Sequence, residues 1–380
     1  MVIDPEHEAL LRLLHSGAPA SALRRLLDSH PDAASACAAG PREWASHGLP
    51  AASCRAIRAP DTAVIARSAA WLEAPGHQLL GWRDPAYPPL LRRIAAPPAM
   101  LFVAGDRTLA WRPALAIVGS RNATAGGKAN AAAFAEALSK AGLCIASGLA
   151  AGIDAAAHEA TLAANGHTVA VLGTGPDVAY PARHRDLLAR VATRGAVISE
   201  HPPGTGPLRQ HFPSRNRILA GLTLATLVVE AAERSGALIT ARLAADAGRE
   251  VFALPGSIHN PMARGCHRLI RDGAQLVESP AEVLEAVGPL AADLARALRG
   301  VLEPAAAAAA SAIQVPADDS GSDDPDYNRL WQALGHDPTG MDELVERSGL
   351  TAAHASSILL ALELEGRVAA EHGRYTRIGA

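Results

Sequence analysis

Short apolar runs alternate with longer amphipathic segments through the middle of the chain. Seven such runs follow one another, at Leu115–Val118, Leu143–Ala146, Thr168–Leu172, Ala196–Ser199, Thr226–Val229, Val251–Leu254 and Gln275–Val277. Strands that are buried on both faces have this character, and the segments between them are long enough for helices. The pattern predicts an α/β fold in which residues 80–288 form a doubly wound parallel sheet, with Met100–Val103 as a further strand.

The chain before this centre has the periodicity of helices. In residues 1–75 leucines recur at helical spacing, with breaks at Ser16–Pro19 and His30–Asp32, which predicts a small helical domain. Short helices with glycine-containing turns can form SAM-like or helix-hairpin-helix units that donate backbone N–H groups to DNA phosphates. A plain accessory bundle fits equally well, and we favour it.

The chain after residue 288 changes composition twice. Residues 289–325 are rich in alanine, proline and aspartate, as is typical of a flexible linker. Residues 326–380 then have winged-helix order, with helices at Tyr327–Leu334, Met341–Arg347 and Thr351–Glu365 and a hairpin of Arg367–Ala370 with Arg374–Arg377. The third helix has no lysine or arginine and so lacks the charge that dominates DNA affinity. We expect a protein-binding or regulatory role for this domain, with weak duplex contact as the alternative.

The charge balance makes any nucleic-acid site local. The chain has 35 Lys and Arg against 38 Asp and Glu, a formal net charge of −3, so no overall positive field attracts DNA or membranes. The four cysteines are scattered without a Cys-x-x-Cys pair, which favours reduced thiols in a cytoplasmic protein over zinc binding. The longest apolar run, Ile218–Val229, is well short of the roughly 20 residues that span a bilayer, so no membrane segment is predicted.

A basic stretch from Pro207 to Gly221 is the strongest local signal. It contains Arg209, Arg215 and Arg217 together with Phe212, and no acidic residue occurs between Glu200 and Glu230. Arginine neutralises phosphate and a ring face accepts a base, so the stretch suits a partly stacked polyanion. By itself it equally suits a solvated basic turn with Phe212 in the core.

A turn of Gly119, Ser120 and Arg121 follows the first run of the sheet. Arg121 stands where a dinucleotide-binding fold has its second glycine, which argues against NAD and indicates that a side chain contacts an anion. Gly127-Lys128 imitates the end of a Walker A loop, but Ala129 replaces the hydroxyl residue that would hold magnesium. We therefore expect no cofactor.

Two later turns complete the rim of the predicted sheet. The small residues of Ser147–Asp154 permit a phosphate to approach a helix N-terminus. Ser235-Gly236 precedes another helix, which Ser235 can cap while sharing its N–H groups with an anion. His158 has no second catalytic residue at a recognisable spacing, so no catalytic or metal-binding residue is predicted.

Six motifs in register resemble the DprA/Smf family of DNA-processing proteins. They are Ile117–Arg121, Ser147–Asp154, Tyr180-Pro181, Phe212–Gly221, Ser235–Thr240 and Pro255-Gly256. The resemblance covers roughly residues 80–288, and the helical start and winged-helix end also suit the family. It implies an extended Rossmann-like domain in a cytoplasmic, non-enzymatic protein that forms homodimers through that domain.

The resemblance also implies a function in natural transformation. Family members bind single-stranded DNA in a basic pocket, protect incoming strands and load RecA onto strands coated by single-strand-binding protein. Carried over to this chain, the DNA-binding residues are Gly119, Ser120, Arg121, Arg209, Phe212, Arg215, Asn216 and Arg217, to which the capped turn adds Ser235 and Gly236. Which of Arg215 and Arg217 faces the DNA stays open.

Two other functions compete with this one. A Rossmann-like nucleotide hydrolase would have a similar fold, but the chain lacks the Pro-Gly-Gly-x-Gly-Thr motif of such enzymes. A winged-helix transcription regulator with a ligand-sensing domain is disfavoured by the acidic third helix, since a groove-reading helix needs positive charge.

Overall fold

The computed structural model describes residues 4–294 and 296, and further on residues 325–334, 339–351, 354–356, 358–359, 362, 368–371 and 374–377. Two compact units are present, Met1–Pro304 and Ala305–Ala380. The predicted linker, residues 289–325, lies mostly outside the described residues. No helix in the described part of the chain is long and apolar enough to cross a membrane.

The described residues before the sheet form six helices. These are α1 (Pro5–His15), α2 (Ala20–Asp28), α3 (Ala33–Ala38), α4 (Pro41–Ser46), α5 (Ala51–Arg58) and α6 (Thr62–Leu72). Asp4, Asp32 and Asp61 cap α1, α3 and α6 by accepting hydrogen bonds from first-turn amides. The leucines of these helices share an apolar core with Met100 and Phe102, so the helices pack on the sheet.

Nine strands among the described residues form the large sheet. They are β1 (His77–Gly81), β2 (Met100–Gly105), β3 (Ala114–Val118), β4 (Cys144–Ser147), β5 (Thr168–Leu172), β6 (Ala196–Ser199), β7 (Ala225–Val228), β8 (Glu250–Ala253) and β9 (Gln275–Leu276). Their order is β1-β2-β6-β5-β4-β3-β7-β8-β9. Strands β3 to β9 pair in parallel, which confirms the predicted doubly wound parallel sheet.

The first two strands depart from the predicted pattern. Strand β1 was not predicted, because His77 and Gln78 are polar and leave only Leu79 and Leu80 as an apolar run. Strand β2 pairs antiparallel with both β1 and β6. The apolar pattern identifies a buried strand but does not give its direction.

Helices cover both faces of the sheet. They are α7 (Pro89–Arg92), α8 (Ala125–Lys140), α9 (Ile153–Ala163), α10 (Arg185–Arg194), α11 (His211–Leu222), α12 (Gly236–Asp246), α13 (Arg264–Arg271) and α14, which includes residues 280–294. Alternate residues of β3 serve the two layers: Ile117 packs with Phe134 of α8, whereas Val118 packs with Leu219 of α11. The loops at the carboxyl ends of the parallel strands therefore meet along one edge between these layers.

The second unit has the order predicted for a winged helix. Helices α15 (Pro325–Ala333) and α16 (Met341–Ser348) accompany a three-stranded antiparallel sheet of β10 (Thr339–Gly340), β11 (Val368–Glu371) and β12 (Arg374–Arg377). The predicted third helix, Thr351–Glu365, lies partly outside the described residues, and residues 354–356, 358–359 and 362 within it are helical. Strand β10 was not predicted.

Candidate nucleic-acid interface

A cavity of about 640 Å³ opens at the carboxyl edge of the parallel strands. It gathers nine of the ten residues predicted to contact DNA: Gly119, Ser120, Arg121, Arg209, Phe212, Arg215, Asn216, Ser235 and Gly236. These residues come from three separate segments of the chain, which the parallel topology brings to one edge. We refer to it as the carboxyl-edge cavity. Arg217 does not line it.

The turn after β3 is fixed by its backbone. Ser120 N donates to Glu230 O at 2.7 Å, and Ile153 N donates to Ser120 O at 3.2 Å. Glycine is required on both sides of this contact: a Cβ on Gly119 would lie 2.5 Å from Ile153 Cγ1, and one on Gly152, whose φ is +84°, would lie 2.2 Å from Ser120 O. The turn therefore presents Arg121, which is exposed, from a rigid support.

Glu230 strengthens this support and was not identified from the sequence. Its carboxylate accepts hydrogen bonds from Thr124 N at 2.9 Å and from Thr124 Oγ1 at 2.6 Å, while Thr124 caps α8. A single glutamate after a strand gives no sequence signal for such a contact, because its partner lies 106 residues earlier. Glu230 thus ties the end of β7 to the turn that carries Arg121.

Phe212 and Tyr180 form the aromatic part of the cavity. Their ring centroids are 5.1 Å apart, and Arg121 Cζ lies 5.4 Å from the centroid of Phe212, within the range of a cation–π contact. Tyr180 is 41% exposed, so its ring is open to a ligand. Tyr180 occurs in a family motif but was not predicted as a site residue.

Arg121 and Arg209 are the exposed cations of the cavity. Neither forms a hydrogen bond or ion pair with any residue that the structure describes. Arg209 lies in the loop that precedes α11, and Phe212 is in the first turn of that helix. Two guanidinium groups that form no ion pair with the described residues therefore line the cavity together with the ring of Phe212.

Arg215 lies beneath them and is buried, with 5% exposure. Its Nη1 donates to Gly148 O at 2.7 Å and to Val171 O, and its Nε donates to Asn216 Oδ1 at 3.2 Å. Burial lowers the pKa of this guanidinium to about 10, so it is a cation at neutral pH. Arg215 therefore places a fixed positive charge in the floor of the cavity.

Asp154 is the carboxylate that lines the same floor. Its Oδ2 accepts hydrogen bonds from Gly148 N at 3.1 Å and Ala150 N at 3.3 Å. Burial raises the pKa of this carboxyl group, against the opposing effects of Arg215 and the two amides. With three arginines against this one carboxylate among the lining residues, the cavity is cationic.

Arg217 points to a different environment. Its guanidinium pairs with the carboxylate of Glu200, and both side chains are largely buried. Burial raises the pKa of the Glu200 carboxyl, while the charge of Arg217 lowers it. Arg215 is thus the one of the two arginines that contributes to the cavity, although as a buried charge.

The N-terminus of α12 forms the far wall. Ser235 caps this helix, since its Oγ accepts a hydrogen bond from Ala237 N at 3.2 Å. A Cβ on Gly236 would meet nothing within 4 Å, so the first turn faces open space. Amide groups at a helix N-terminus favour anions.

His158 has a structural contact. His158, which the sequence placed after the Ser147–Asp154 turn, is fully buried, and its Nδ1 shares a hydrogen bond of 2.7 Å with Thr168 Oγ1. It does not line the cavity. Among the described residues no three His, Cys, Asp or Glu side chains converge as a metal site requires.

The burial of His158 predicts a pH dependence of stability. Burial lowers its pKa to about 3, whereas the unfolded chain takes up this proton near pH 6.5. The unfolded state thus binds more protons between these values, and the free energy of unfolding falls as the pH falls. Between about pH 7 and about pH 5, the free energy of unfolding should fall by about 2 kcal/mol less in the His158→Asn variant than in the unmodified protein. Urea unfolding of both proteins at the two pH values measures it.

The matched control is His259→Asn, because His259 is exposed. Its pH dependence should equal that of the unmodified protein. If His158→Asn lost as much stability on acidification as the unmodified protein, His158 would not be buried in its neutral form.

Comparisons with known proteins agree with this architecture. The family model described as DNA recombination-mediator protein A matches residues 78–288, and that of the DprA winged helix domain matches residues 303–374. The chain is 41% identical to protein Smf of Escherichia coli (strain K12) over 315 residues, which cover 83% of this chain and 81% of that protein.

Two solved structures are similar as well. DNA processing protein A (DprA) from Streptococcus pneumoniae has a TM-score of 0.65 and 35% identity, over 75% of this chain and 98% of that one. DNA processing protein A from Helicobacter pylori, whose structure concerns a single-stranded DNA binding mode, has a TM-score of 0.51 and 27% identity, over 56% of this chain and 95% of that one.

Proposed function

The chain belongs to the DprA/Smf family of DNA-processing proteins, and on that premise we propose that it binds single-stranded DNA in the carboxyl-edge cavity. One observation carries the proposal: Arg121 and Arg209, which are exposed and form no ion pair with the described residues, line one cavity together with Phe212 and the buried cation of Arg215. Phosphates need cations, and an unpaired base needs a ring face. The cavity offers both within one site.

A single strand fits this site better than a duplex. The rings of Phe212 and Tyr180 can stack only on a base whose face is free, and such stacking contributes about 1–3 kcal/mol per base. Contacts to phosphates and to base faces carry little sequence information. Affinity should fall steeply with salt and vary little with sequence.

The related proteins support the same ligand. The structure from Helicobacter pylori concerns single-stranded DNA binding, and the similarity covers 56% of this chain. The family model that matches residues 78–288 is that of a recombination mediator. The first supports single-stranded DNA as the ligand, and the second supports a role in recombination.

The proposed role is that of a recombination mediator in natural transformation. Bound to incoming single strands as a cytoplasmic homodimer, formed through the Rossmann-like domain, the protein would protect them and load RecA onto strands coated by single-strand-binding protein. The winged helix would serve as a protein-binding or regulatory domain. Strand protection, RecA loading and the homodimer are proposed from family membership, whereas the role of the winged helix is proposed because its predicted third helix has no lysine or arginine.

We infer that the cavity binds DNA without cleaving it. Asp154, the carboxylate among its described lining residues, is held by two backbone amides beside a buried arginine. A general acid or base must instead reach the reacting atoms. Release of free base from nucleoside monophosphates would support the rival nucleotide hydrolase.

RecA assembly on coated strands tests the mediator role. Single-stranded DNA saturated with single-strand-binding protein should resist RecA, and addition of this protein should allow RecA filaments to form. DNA-dependent ATP hydrolysis by RecA reports the assembly, and naked strands serve as the control. An unchanged rate on coated strands, with DNA binding intact, would restrict the function to DNA binding.

A further inference from the structure

Arg67 of the N-terminal helices lies beside the loop that carries Arg209. We propose that it binds a phosphate of the same single strand beyond the carboxyl-edge cavity, so that the helical region extends the DNA-binding track. This inference rests on the proposed function. It assigns a DNA contact to the N-terminal helices, for which the sequence favours a plain accessory bundle.

Arg67 lies close to the loop that carries Arg209. Residues 200–210 connect β6 to α11, and Gly204 within them has a φ of +79°. A Cβ on Gly204 would lie 3.5 Å from Arg67 Nη1 and 3.6 Å from Arg67 Cδ. The guanidinium group of Arg67 on α6 therefore lies near Gly204, which is five positions before Arg209 in the chain.

The order of the strands gives the order of the cations across the carboxyl edge. Arg121 follows β3, Tyr180 follows β5 and Arg209 follows β6, while the N-terminal helices pack on β1 and β2 beyond β6. From β3 to β6 the sheet has three strand spacings, which is roughly 14 Å. Arg121, Arg209 and Arg67 thus follow one another across the edge, and a polymer can contact all three.

The charge of Arg67 is available for a ligand. Arg67 is exposed and forms no hydrogen bond or ion pair with the described residues. The carboxylate of Asp177 accepts a hydrogen bond from Gly204 N at 2.8 Å, and that of Asp61 accepts from the first-turn amides of α6. His15 is the titratable group that faces Arg67 from α1, and burial and then Arg67 lower its pKa.

The test compares short and long oligo-dT. Arg67→Met keeps the aliphatic stem against Gly204 and removes the charge. Binding to about 4 nucleotides, enough for the cavity, should be unchanged, whereas binding to about 20 nucleotides should weaken roughly threefold. The slope of log affinity against log salt should fall by about 0.7, as for one lost phosphate contact. Arg67→Lys should restore both quantities.

Arg42→Met is the matched control, because Arg42 is exposed on α4 of the same helical region. If Arg67→Met left the affinity and salt slope for long strands unchanged while cavity variants weakened binding, the extended track would be wrong and the cavity would stand. Equal weakening for short and long strands would mean that Arg67 only shapes the loop. Failure of the cavity variants themselves would overturn the proposed function instead.

Discussion

Replacing Arg215 by methionine is expected to lower the free energy of unfolding by about 3–5 kcal/mol, which is the usual cost of removing one member of a buried pair of opposite charges. The change leaves the carbonyl groups of Gly148 and Val171 without their donor, and it removes the cation that most lowers the pKa of the buried Asp154 carboxyl group. Unfolding by urea, followed by circular dichroism, measures the loss.

A second substitution separates the charge from the hydrogen bonds. Asp154→Asn in the Arg215→Met background removes the uncompensated carboxylate and should recover part of the lost stability. Arg107→Met, at an exposed position, controls for loss of an arginine and should change the stability by less than about 0.5 kcal/mol. A loss below about 1 kcal/mol for Arg215→Met would contradict a structural role for this cation.

Most of the central sheet could be predicted because its strands are buried on both faces. Each predicted strand from Leu115 to Val277 is present, with ends that differ by at most one residue. Strand β1 could not be predicted from the pattern of apolar runs, because only Leu79 and Leu80 in it are buried apolar residues. The antiparallel direction of β2 could not be predicted, since the same apolar run suits either direction.

The types of residue at the site could also be predicted. The turns after the parallel strands converge by topology, which is why Arg121 and Ser235 line one cavity although they are far apart in sequence. The close approach of a side chain to a particular glycine was harder to predict. Gly148 permits the approach of Arg215, whose Nη1 would lie 2.3 Å from an added Cβ.

The protein groups that each arginine contacts could not be predicted. Arg215 is committed to carbonyl groups 44 and 67 residues away, and Arg217 is committed to a glutamate 17 residues away. Such contacts have no local sequence signal, because they depend on the packing of α11 against the sheet. For the same reason Arg67, on a helix outside the predicted Rossmann-like region, was not singled out.

Loss of both exposed cations, in the double variant Arg121→Ala with Arg209→Ala, is expected to weaken binding of single-stranded DNA on the order of 100-fold at low salt. Each guanidinium forms a charged contact that contributes about 1.5 kcal/mol. Both side chains are exposed, so the free energy of unfolding should change by less than about 1 kcal/mol. Fluorescence anisotropy of labelled oligo-dT measures the affinity.

Arg107→Ala is the matched control for this variant. Arg107 is exposed and follows β2 at Gly105, which pairs with Ala196 at the start of β6. It therefore lies at the amino edge of the parallel strands, opposite the cavity. Removing its charge should leave the affinity for oligo-dT within about twofold of the unmodified protein, since one distant charge contributes little.

The salt dependence of this binding tests the central claim most directly. As salt rises from about 50 to about 200 mM, the slope of log affinity against log salt should be smaller by about 1.4 for the double variant, because two phosphate contacts of about 0.7 each are lost. The Arg107→Ala control should keep the slope of the unmodified protein. Equal affinities and slopes for all three proteins would contradict the assignment of the carboxyl-edge cavity as the single-stranded DNA site.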